Sequence, residues 1–388
     1  MDVERFITEN FDADPLSLRL KYRGNDEAIK AIEQIELRKK SPEKFIGRNG
    51  VSRMPRKLYS RVAVEQTTAA AIADFHASLI LPNSRVLDMT MGMGSDAVAM
   101  ASVKGVSVTA IERNPELAEM SRENFSGIMN LCIICADSVE WLSKSHDRFD
   151  VIFIDPARRD YSGNRVVNLH DCTPDVVSAE PLMLEHTSRI LIKLSPMLDV
   201  SAVIRDLRYV RHIYIVEHKG ECRELLVEIV GDFSGEPTVE TVGGNGSISF
   251  TLSEEDAAVA QFGTPTEGDY LYEPGASAMK SGAFKLMSAR FGLREISANS
   301  HLYFSSDYVA DFPGKIYRVS AILPYSSSVL RQLSKEIDGC SVAVRNFPVS
   351  ASELRRKLKM KEGDKLRLMA TTGTGGEKML LLLEHTSH

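Results

Sequence analysis

The chain has 388 residues, of which 43% are hydrophobic and 26% charged, with a net charge of −6. This composition is that of an ordinary globular protein, and the length allows two or three domains. No apolar run approaches the roughly 18 residues of a membrane span, and five thinly spread cysteines do not suggest a disulfide framework. With an acidic N-terminal stretch unlike a signal peptide, we expect a cytoplasmic protein without membrane or metal partners, of undetermined oligomeric state.

Residues 1–63 form a polar segment that is predicted to be helical. Between Arg38 and Arg61 we count nine Lys and Arg residues against a single acid, Glu43. Such a run is either a solvated face or mobile arm, or a surface that binds phosphate groups.

From residue 64 to about residue 230, predicted helices and strands alternate along the chain. This alternation predicts an α/β fold with a parallel, doubly wound, Rossmann-like sheet. Only Lys219 and Gly220 separate the last two strands, which indicates a hairpin at one end of the sheet. Residues 231–275 are rich in turns and predict a β-rich linker, and residues 276–388 predict a compact α+β accessory domain.

A glycine loop follows the first strand of this pattern in "VLDMTMGMGSDA". Gly92 and Gly94 allow a ligand to approach the backbone closely, because glycine has no Cβ. Ala97 replaces the third glycine of the dinucleotide fingerprint, and there is no P-loop lysine, which disfavours a nucleoside triphosphate. Asp88 would repel a pyrophosphate, so the loop suits a cation such as the α-amino group of an amino acid.

Four successive strands end in acids, in the order Asp88, Glu112, Asp137 and Asp155. Ligands of open α/β sheets bind at the carboxyl ends of the strands, where Glu112 would accept hydrogen bonds from ribose hydroxyls. Asp137 and Ser138 would meet the exocyclic amine of an adenine. The alternative is that these acids cap helices, Asp137 in particular.

Residues 85–160 resemble class I S-adenosylmethionine-dependent methyltransferases. The motif "LDMTMGMGSDA…AIERNP" is similar to bacterial ribosomal-RNA guanine-N2 methyltransferases with a D-x-T-x-G-x-G loop. The resemblance implies S-adenosylmethionine as cofactor, with its methionine part held by Asp88, Thr90, Gly92 and Gly94.

The same resemblance implies a nucleoside side of the cofactor site. There Glu112 and Arg113 would lie at the ribose, and Asp137 and Ser138 at the adenine. The last part of the chain is similar to the accessory segment of bacterial methyltransferases with a THUMP-like C-terminal domain, which implies RNA, ribosomal or transfer, as partner.

Asp155 and Pro156 would form the catalytic turn of a nucleic-acid amino-methyltransferase. In that family the acid and a backbone carbonyl accept the N–H groups of a flipped-out base, which positions the amine for attack. Ala157 and Arg158 depart from the family pattern, since no aromatic ring follows to stack on the base. Ser195 stands where methylation of uridine C5 would need a cysteine, so that chemistry is disfavoured.

Further residues near this turn are candidates for substrate binding. Arg158 and Arg159 either contact phosphate or pair with a loop acid, Tyr161 is a candidate stacking residue, and Lys193 and Ser195 are expected to line the pocket. Among the cysteines, we expect Cys132 and Cys135 to be buried strand thiols and Cys222 to be structural.

A second basic cluster, "LRRKLKMK", lies in the C-terminal domain. If it is helical, Arg355 and Lys359 share a face with Arg356 beside them, while Leu354 and Leu358 face the core. This face either grips RNA or is an ordinary solvated surface. Alternatives to an RNA methyltransferase are a non-catalytic RNA-binding protein with a decayed fold, and a methyltransferase of proteins or small molecules.

Overall fold

The structure is a computed structural model that describes residues 2–40, 42–47, 55, 57, 60–158 and 169–386. The chain divides into two compact units. Unit 1 contains residues 1–211 and 226–234, and unit 2 contains residues 212–225 and 235–388. In the described residues, no helix is both long and apolar enough to cross a bilayer.

Three helices open the chain, as the sequence predicts. They are α1 (Val3–Asn10), α2 (Pro15–Lys21) and α3 (Asp26–Lys40). The side chains of Asp2 and Asp14 accept hydrogen bonds from backbone N–H groups in the first turns of α1 and α2, which satisfies helix-end donors. The helices pack around a small apolar cluster that includes Phe6, Leu18 and Ile32.

The rest of unit 1 alternates helices and strands, which confirms the predicted α/β pattern. A 3₁₀ turn at Pro42–Phe45 precedes this region and another spans Leu169–Asp171. The helices are α4 (Arg61–Gln66), α5 (Ala70–Ser78), α6 (Ser95–Ala101), α7 (Pro115–Asn124), α8 (Ser138–Lys144), α9 (Val176–His186) and α10 (Val200–Asp206). The strands are β1 (Arg85–Asp88), β2 (Ser107–Glu112), β3 (Leu131–Cys135), β4 (Val151–Ile154), β5 (Ala157–Arg158), β6 (Cys172–Thr173) and β7 (Arg189–Leu194).

Five of these strands lie side by side in the order β7-β4-β1-β2-β3. Each pair of neighbours is parallel, and β4 is buried along its whole length. A parallel sheet places every carboxyl strand end at one edge, so the order of the strands sets which side chains meet there.

The predicted hairpin is present as β8 (Val210–His218) and β9 (Glu221–Val230). Lys219 and Gly220 have φ angles of 54° and 76°, the left-handed geometry that a two-residue hairpin turn requires. Burial raises the pKa of the Cys222 thiol to about 11, which agrees with a structural rather than a nucleophilic role.

Unit 2 is an α+β unit, as predicted for the C-terminal part. Its further strands are β10 (Thr238–Val242), β11 (Ser249–Thr251), β12 (Gln261–Phe262), β13 (Tyr270–Pro274), β14 (Arg294–Glu295), β15 (Tyr303–Ser305), β16 (Gly314–Pro324), β17 (Ser341–Val344), β18 (Leu366–Thr372) and β19 (Lys378–His385). Its helices are α11 (Leu252–Ala257), α12 (Ala276–Ser281), α13 (Phe284–Phe291), α14 (Ser327–Glu336) and α15 (Ala351–Leu358). Eight strands form a sheet in the order β12-β14-β15-β13-β16-β19-β18-β17, and apolar residues of α14 and α15 share one core cluster with it.

The expectation of buried thiols in "LCIIC" is wrong. Cys132 and Cys135 lie in strand β3, as predicted, but both are exposed. The reason is position, since β3 is the last strand of its sheet and, among the described residues, has a neighbouring strand on one side only.

Candidate active site

Acidic side chains gather at the carboxyl edge of the unit 1 sheet. Asp88 and Glu112 are the last residues of β1 and β2, Asp155 directly follows β4, and Asp137 comes two residues after β3. The negative charges of Asp96, Asp155 and Glu112 all act on Asp88. The strand-end acids Asp88, Glu112 and Asp155 thus belong to one electrostatic cluster.

Asp88 is a buried carboxyl group with one unpaired oxygen. Its exposure is 1%, and its Oδ1 accepts a hydrogen bond from the backbone N–H of Thr90 at 3.0 Å. Its Oδ2 has no hydrogen-bond partner among the described residues. Burial raises the pKa of Asp88 to about 8, and the neighbouring acids add to this effect. Such an oxygen suits a cationic hydrogen-bond donor, as the α-amino group of a methionine part would be.

The glycine loop combines a tight turn with open space. Gly94 has φ 82°, and a Cβ there would lie 2.7 Å from Phe125 and 2.8 Å from Met91, so a larger residue does not fit. Gly92 has φ 54°, but a Cβ there would meet no atom of the described residues within 4 Å. The backbone at Gly92 therefore borders space that a ligand can fill.

Glu112 ties this loop to strand β2. Its Oε2 accepts a hydrogen bond from the Gly92 N–H at 3.0 Å, and its Oε1 accepts one from the Asn114 N–H at 2.7 Å. Each carboxylate oxygen has two lone pairs, so these bonds leave acceptor capacity for ribose hydroxyls. Arg113, beside it, is exposed.

Asp137 is the N-cap of α8, which confirms the structural alternative for this residue. Its Oδ1 accepts hydrogen bonds from the N–H groups of Val139 and Glu140 at 3.1 and 3.0 Å. The cap uses one carboxylate oxygen and the residue is exposed, while Ser138 is buried. A role at the adenine is compatible with the cap but stays a prediction.

Asp155 is held at both its backbone and its side chain. Its N–H donates to Thr90 Oγ1 at 2.6 Å, which links the Asp155-Pro156 turn to the glycine loop. Its Oδ2 forms an ion pair with Lys193 Nζ at 2.5 Å. The sequence places Lys193 in the pocket but does not predict this ion pair. Pro156, which follows, is buried.

Lys193 leads into a buried polar network. Its ammonium group also donates to Thr68 Oγ1 at 2.9 Å, and Thr68 donates to Asp96 Oδ2 at 2.6 Å. Asp96 Oδ1 lies 2.7 Å from Nδ1 of His76, a fully buried side chain. Burial opposes ionisation of Asp96, but His76 and Lys193 outweigh it and hold the pKa of that carboxyl below its usual range. Sequence reasoning missed Thr68, His76 and Asp96.

Part of the predicted substrate-binding set falls outside the residues that the structure describes. Arg159 and Tyr161 are not among the described residues, and neither is the Arg158 side chain. Ser195 follows the end of β7, where its Oγ accepts a hydrogen bond from the Met197 N–H at 3.3 Å.

Several basic residues of the run from Arg38 to Arg61 form ion pairs with acids that lie outside the run. Arg38 pairs with Glu4 at 3.3 Å, and Lys57 pairs with Glu123. Glu65 accepts hydrogen bonds from Lys40 and Arg61. These contacts lower the pKa of Glu65 to about 2, with the larger effect from Lys40. Acids outside the run from Arg38 to Arg61 therefore offset part of its positive charge.

The second basic cluster also differs from its prediction. Leu354 and Leu358 are fully buried, as expected, but α15 ends at Leu358 and Lys359 adopts a left-handed φ of 55°. Lys359 therefore does not continue the helical face of Arg355, and the predicted shared face is wrong. Arg355 pairs with Glu362 at 3.0 Å, whereas Arg356 and Lys359 are exposed.

In the parts of the chain that the structure describes, no group of three or more His, Cys, Asp or Glu side chains is arranged to hold a metal ion.

Three family models match separate parts of the chain, and residues 162–269 lie between the first match and the second. The first, described as "Putative SAM-dependent methyltransferase", matches residues 19–161. A ferredoxin-like domain matches residues 270–313, and a THUMP domain-like model matches residues 314–385.

One solved structure is similar over nearly the whole chain. The crystal structure of a "putative methyltransferase" from Porphyromonas gingivalis W83 is 32% identical, with a TM-score of 0.84. The similarity covers 99% of this chain and 98% of that one.

Two curated relatives match over shorter regions. An uncharacterized RNA methyltransferase of Mycoplasma mobile is 34% identical over 104 residues, and ribosomal RNA small subunit methyltransferase J of Coxiella burnetii is 35% identical over 83 residues. These matches cover 26% and 19% of this chain, and 28% and 32% of the relatives' own lengths.

Proposed function

Because the chain belongs to the S-adenosylmethionine-dependent methyltransferases with a THUMP-like C-terminal domain, we propose that it methylates a nitrogen of a base in RNA. The short matches to RNA methyltransferases, one of which acts on ribosomal RNA by name, support RNA as the substrate class. The single observation that carries the proposal is that the buried carboxyl group of Asp88, with one oxygen lacking a partner among the described residues, and the Asp155-Pro156 turn lie at the same edge of one sheet.

The residues at this edge fit S-adenosylmethionine. Asp88 Oδ2 would hold the α-amino group, and the open space at Gly92 would admit the methionine part against the backbone. Glu112 would accept from the ribose, and Asp137 would lie at the adenine. When bound, the cofactor supplies a methyl group that a nucleophile can attack.

Asp155 would orient the nucleophile. A planar base amine attacks poorly, and a carboxylate that accepts one of its N–H groups aligns its lone pair with the methyl group. The methylated nitrogen then loses one proton readily, so a dedicated general base is not required. Pro156 fixes the turn after Asp155.

Loss of the Asp155 carboxylate tests this assignment. We expect Asp155→Ala to lower methyl transfer by about two orders of magnitude, the scale typical of a lost transition-state contact. Its affinity for S-adenosylhomocysteine should change little. Transfer is measured with a tritiated methyl group and total RNA from a deletion strain, and nucleoside mass spectrometry then identifies the product. Calorimetry measures the affinity of the variant for S-adenosylhomocysteine.

The control is Asp206→Ala, which removes a partly exposed acid of α10 whose carboxylate pairs with the neighbouring Arg205. It should transfer methyl groups at the wild-type rate. Wild-type transfer by Asp155→Ala would refute the role of Asp155, and absence of cofactor binding in the unaltered protein would refute the methyltransferase function. Cofactor binding with transfer only to protein or small molecules would refute RNA as substrate.

A further inference from the structure

We infer that Lys193 is a positioning residue for methyl transfer, which holds the Asp155 carboxylate in the orientation that receives the base amine. This inference rests on the proposed function, because it assigns a partner to the proposed acceptor. The ammonium nitrogen lies 2.5 Å from Asp155 Oδ2, and the Lys193 side chain is only 14% exposed.

The register of the sheet explains why these two side chains meet. Strands β4 and β7 are parallel neighbours, with Ile152 opposite Ile190 and Ile154 opposite Ile192. Lys193 comes one residue after Ile192 in β7, and Asp155 comes one residue after Ile154, directly beyond the end of β4. The register of the two strands therefore brings the positions of Asp155 and Lys193 close together.

The side chain of lysine is flexible, so its ammonium group can fix the position of a carboxylate only if the ammonium group is itself held in place. Here the ammonium group has a second acceptor, Thr68 Oγ1, at 2.9 Å. Thr68 donates to Asp96, and Asp96 contacts His76, whose side chain is fully buried. Asp155 is thus connected by a chain of short contacts to the interior of the unit.

The positive charge of Lys193 also stabilises the Asp155 carboxylate electrostatically. Asp155 belongs to the same cluster as Asp88, Asp96 and Glu112, and carboxylates this close repel one another. A cation beside Asp155 offsets that repulsion and favours a carboxylate turned toward Lys193. Without it, the side chain would be free to turn away from its acid neighbours.

The kinetic test compares three variants. We expect Lys193→Met to lower kcat roughly 10- to 100-fold, the scale of a misplaced reacting group, while the affinity for S-adenosylhomocysteine stays within about twofold. Lys193→Arg keeps a cation that can reach Asp155, so it should recover a substantial part of kcat. The matched control is Lys104→Met, an exposed lysine before β2, which should behave as wild type.

Two results would overturn the inference. One is a wild-type kcat for Lys193→Met. The other is an equal loss for Lys193→Met and Lys193→Arg that appears in KM rather than in kcat, since that pattern indicates direct binding of substrate.

A second measurement does not depend on activity or on RNA. In protein labelled with lysine side-chain ¹⁵N, an ammonium group held by two acceptors should give a signal protected from solvent exchange. We expect Asp155→Ala to abolish the protection and Thr68→Val, a near-isosteric change, to weaken it, while Lys104→Met leaves it intact. A signal that is unprotected in the wild type, or unchanged in Asp155→Ala, would refute the ion pair whatever the protein methylates. Inactivity toward RNA with an intact signal would instead refute the proposed function.

Discussion

A buried carboxyl group that is protonated at neutral pH makes ligand binding depend on pH. With a pKa of about 8, Asp88 is mostly protonated at pH 7 in the ligand-free site. A cationic amine binds well only to the ionised form, so binding must release a proton below pH 8. Linkage then requires the affinity to rise with pH, by up to about tenfold per unit, and to level off near pH 8.

We therefore predict that S-adenosylhomocysteine binds more tightly at pH 8 than at pH 6, with the release of about one proton at pH 6.5. Calorimetry in two buffers of different ionisation enthalpy measures this release. Asp88→Asn keeps the shape of the side chain but cannot ionise, so it should bind weakly and with little dependence on pH. A flat pH profile of the unaltered protein would contradict the role of Asp88.

At the scale of the helix, the role of Asp137 as the N-cap of α8 can be tested separately from any contact with a ligand. Asp137→Ala removes the N-cap of α8 and should lower the free energy of unfolding by about 1 kcal/mol. Asn caps helices as well as Asp does, so Asp137→Asn should keep the stability of the wild type. Urea unfolding of the three proteins measures the difference, and equal stability of all three would show that the cap contributes nothing.

Elements with strong local signals were predictable from the sequence. The hairpin at Lys219 and Gly220 follows from turn chemistry, and the acids at the ends of β1 and β2 follow from the alternation of helices and strands. Both features depend on residues close to one another in the chain.

What failed or was missed depends on residues distant in sequence. The Lys193–Asp155 pair needs the register of β4 against β7, and the exposure of Cys132 needs the order of the strands. The partners of Arg38 and Lys57, Glu4 and Glu123, lie far along the chain. A pattern of neighbours cannot show which distant charges will meet.

At the scale of the whole molecule, RNA binding by the second basic cluster is a proposal. The structure favours Arg356 and Lys359 over Arg355 as the residues that contact RNA. Arg355 forms an ion pair with Glu362, whereas Arg356 and Lys359 are exposed. The boundaries at residues 63, 230 and 275 likewise stay predictions.

We predict that the double change Arg356→Gln and Lys359→Gln weakens RNA binding and lowers the slope of log affinity against log salt by about two, since each phosphate contact contributes about one. Lys357→Gln is the matched control, because Lys357 is already paired with Glu353 at 3.2 Å. Fluorescence anisotropy from 50 to 300 mM salt measures the slopes. If the double variant keeps the wild-type slope, this end of α15 is only a solvated surface.

The open edge of strand β3 has a practical consequence. Cys132 and Cys135 are exposed, while Cys172 and Cys340 are buried and Cys222 is only partly accessible. Thiol-reactive dyes should therefore attach first to one short strand, without any engineered cysteine. Because Cys135 lies two residues before Asp137, an environment-sensitive dye there would test in real time whether a ligand binds at Asp137, as proposed for the adenine.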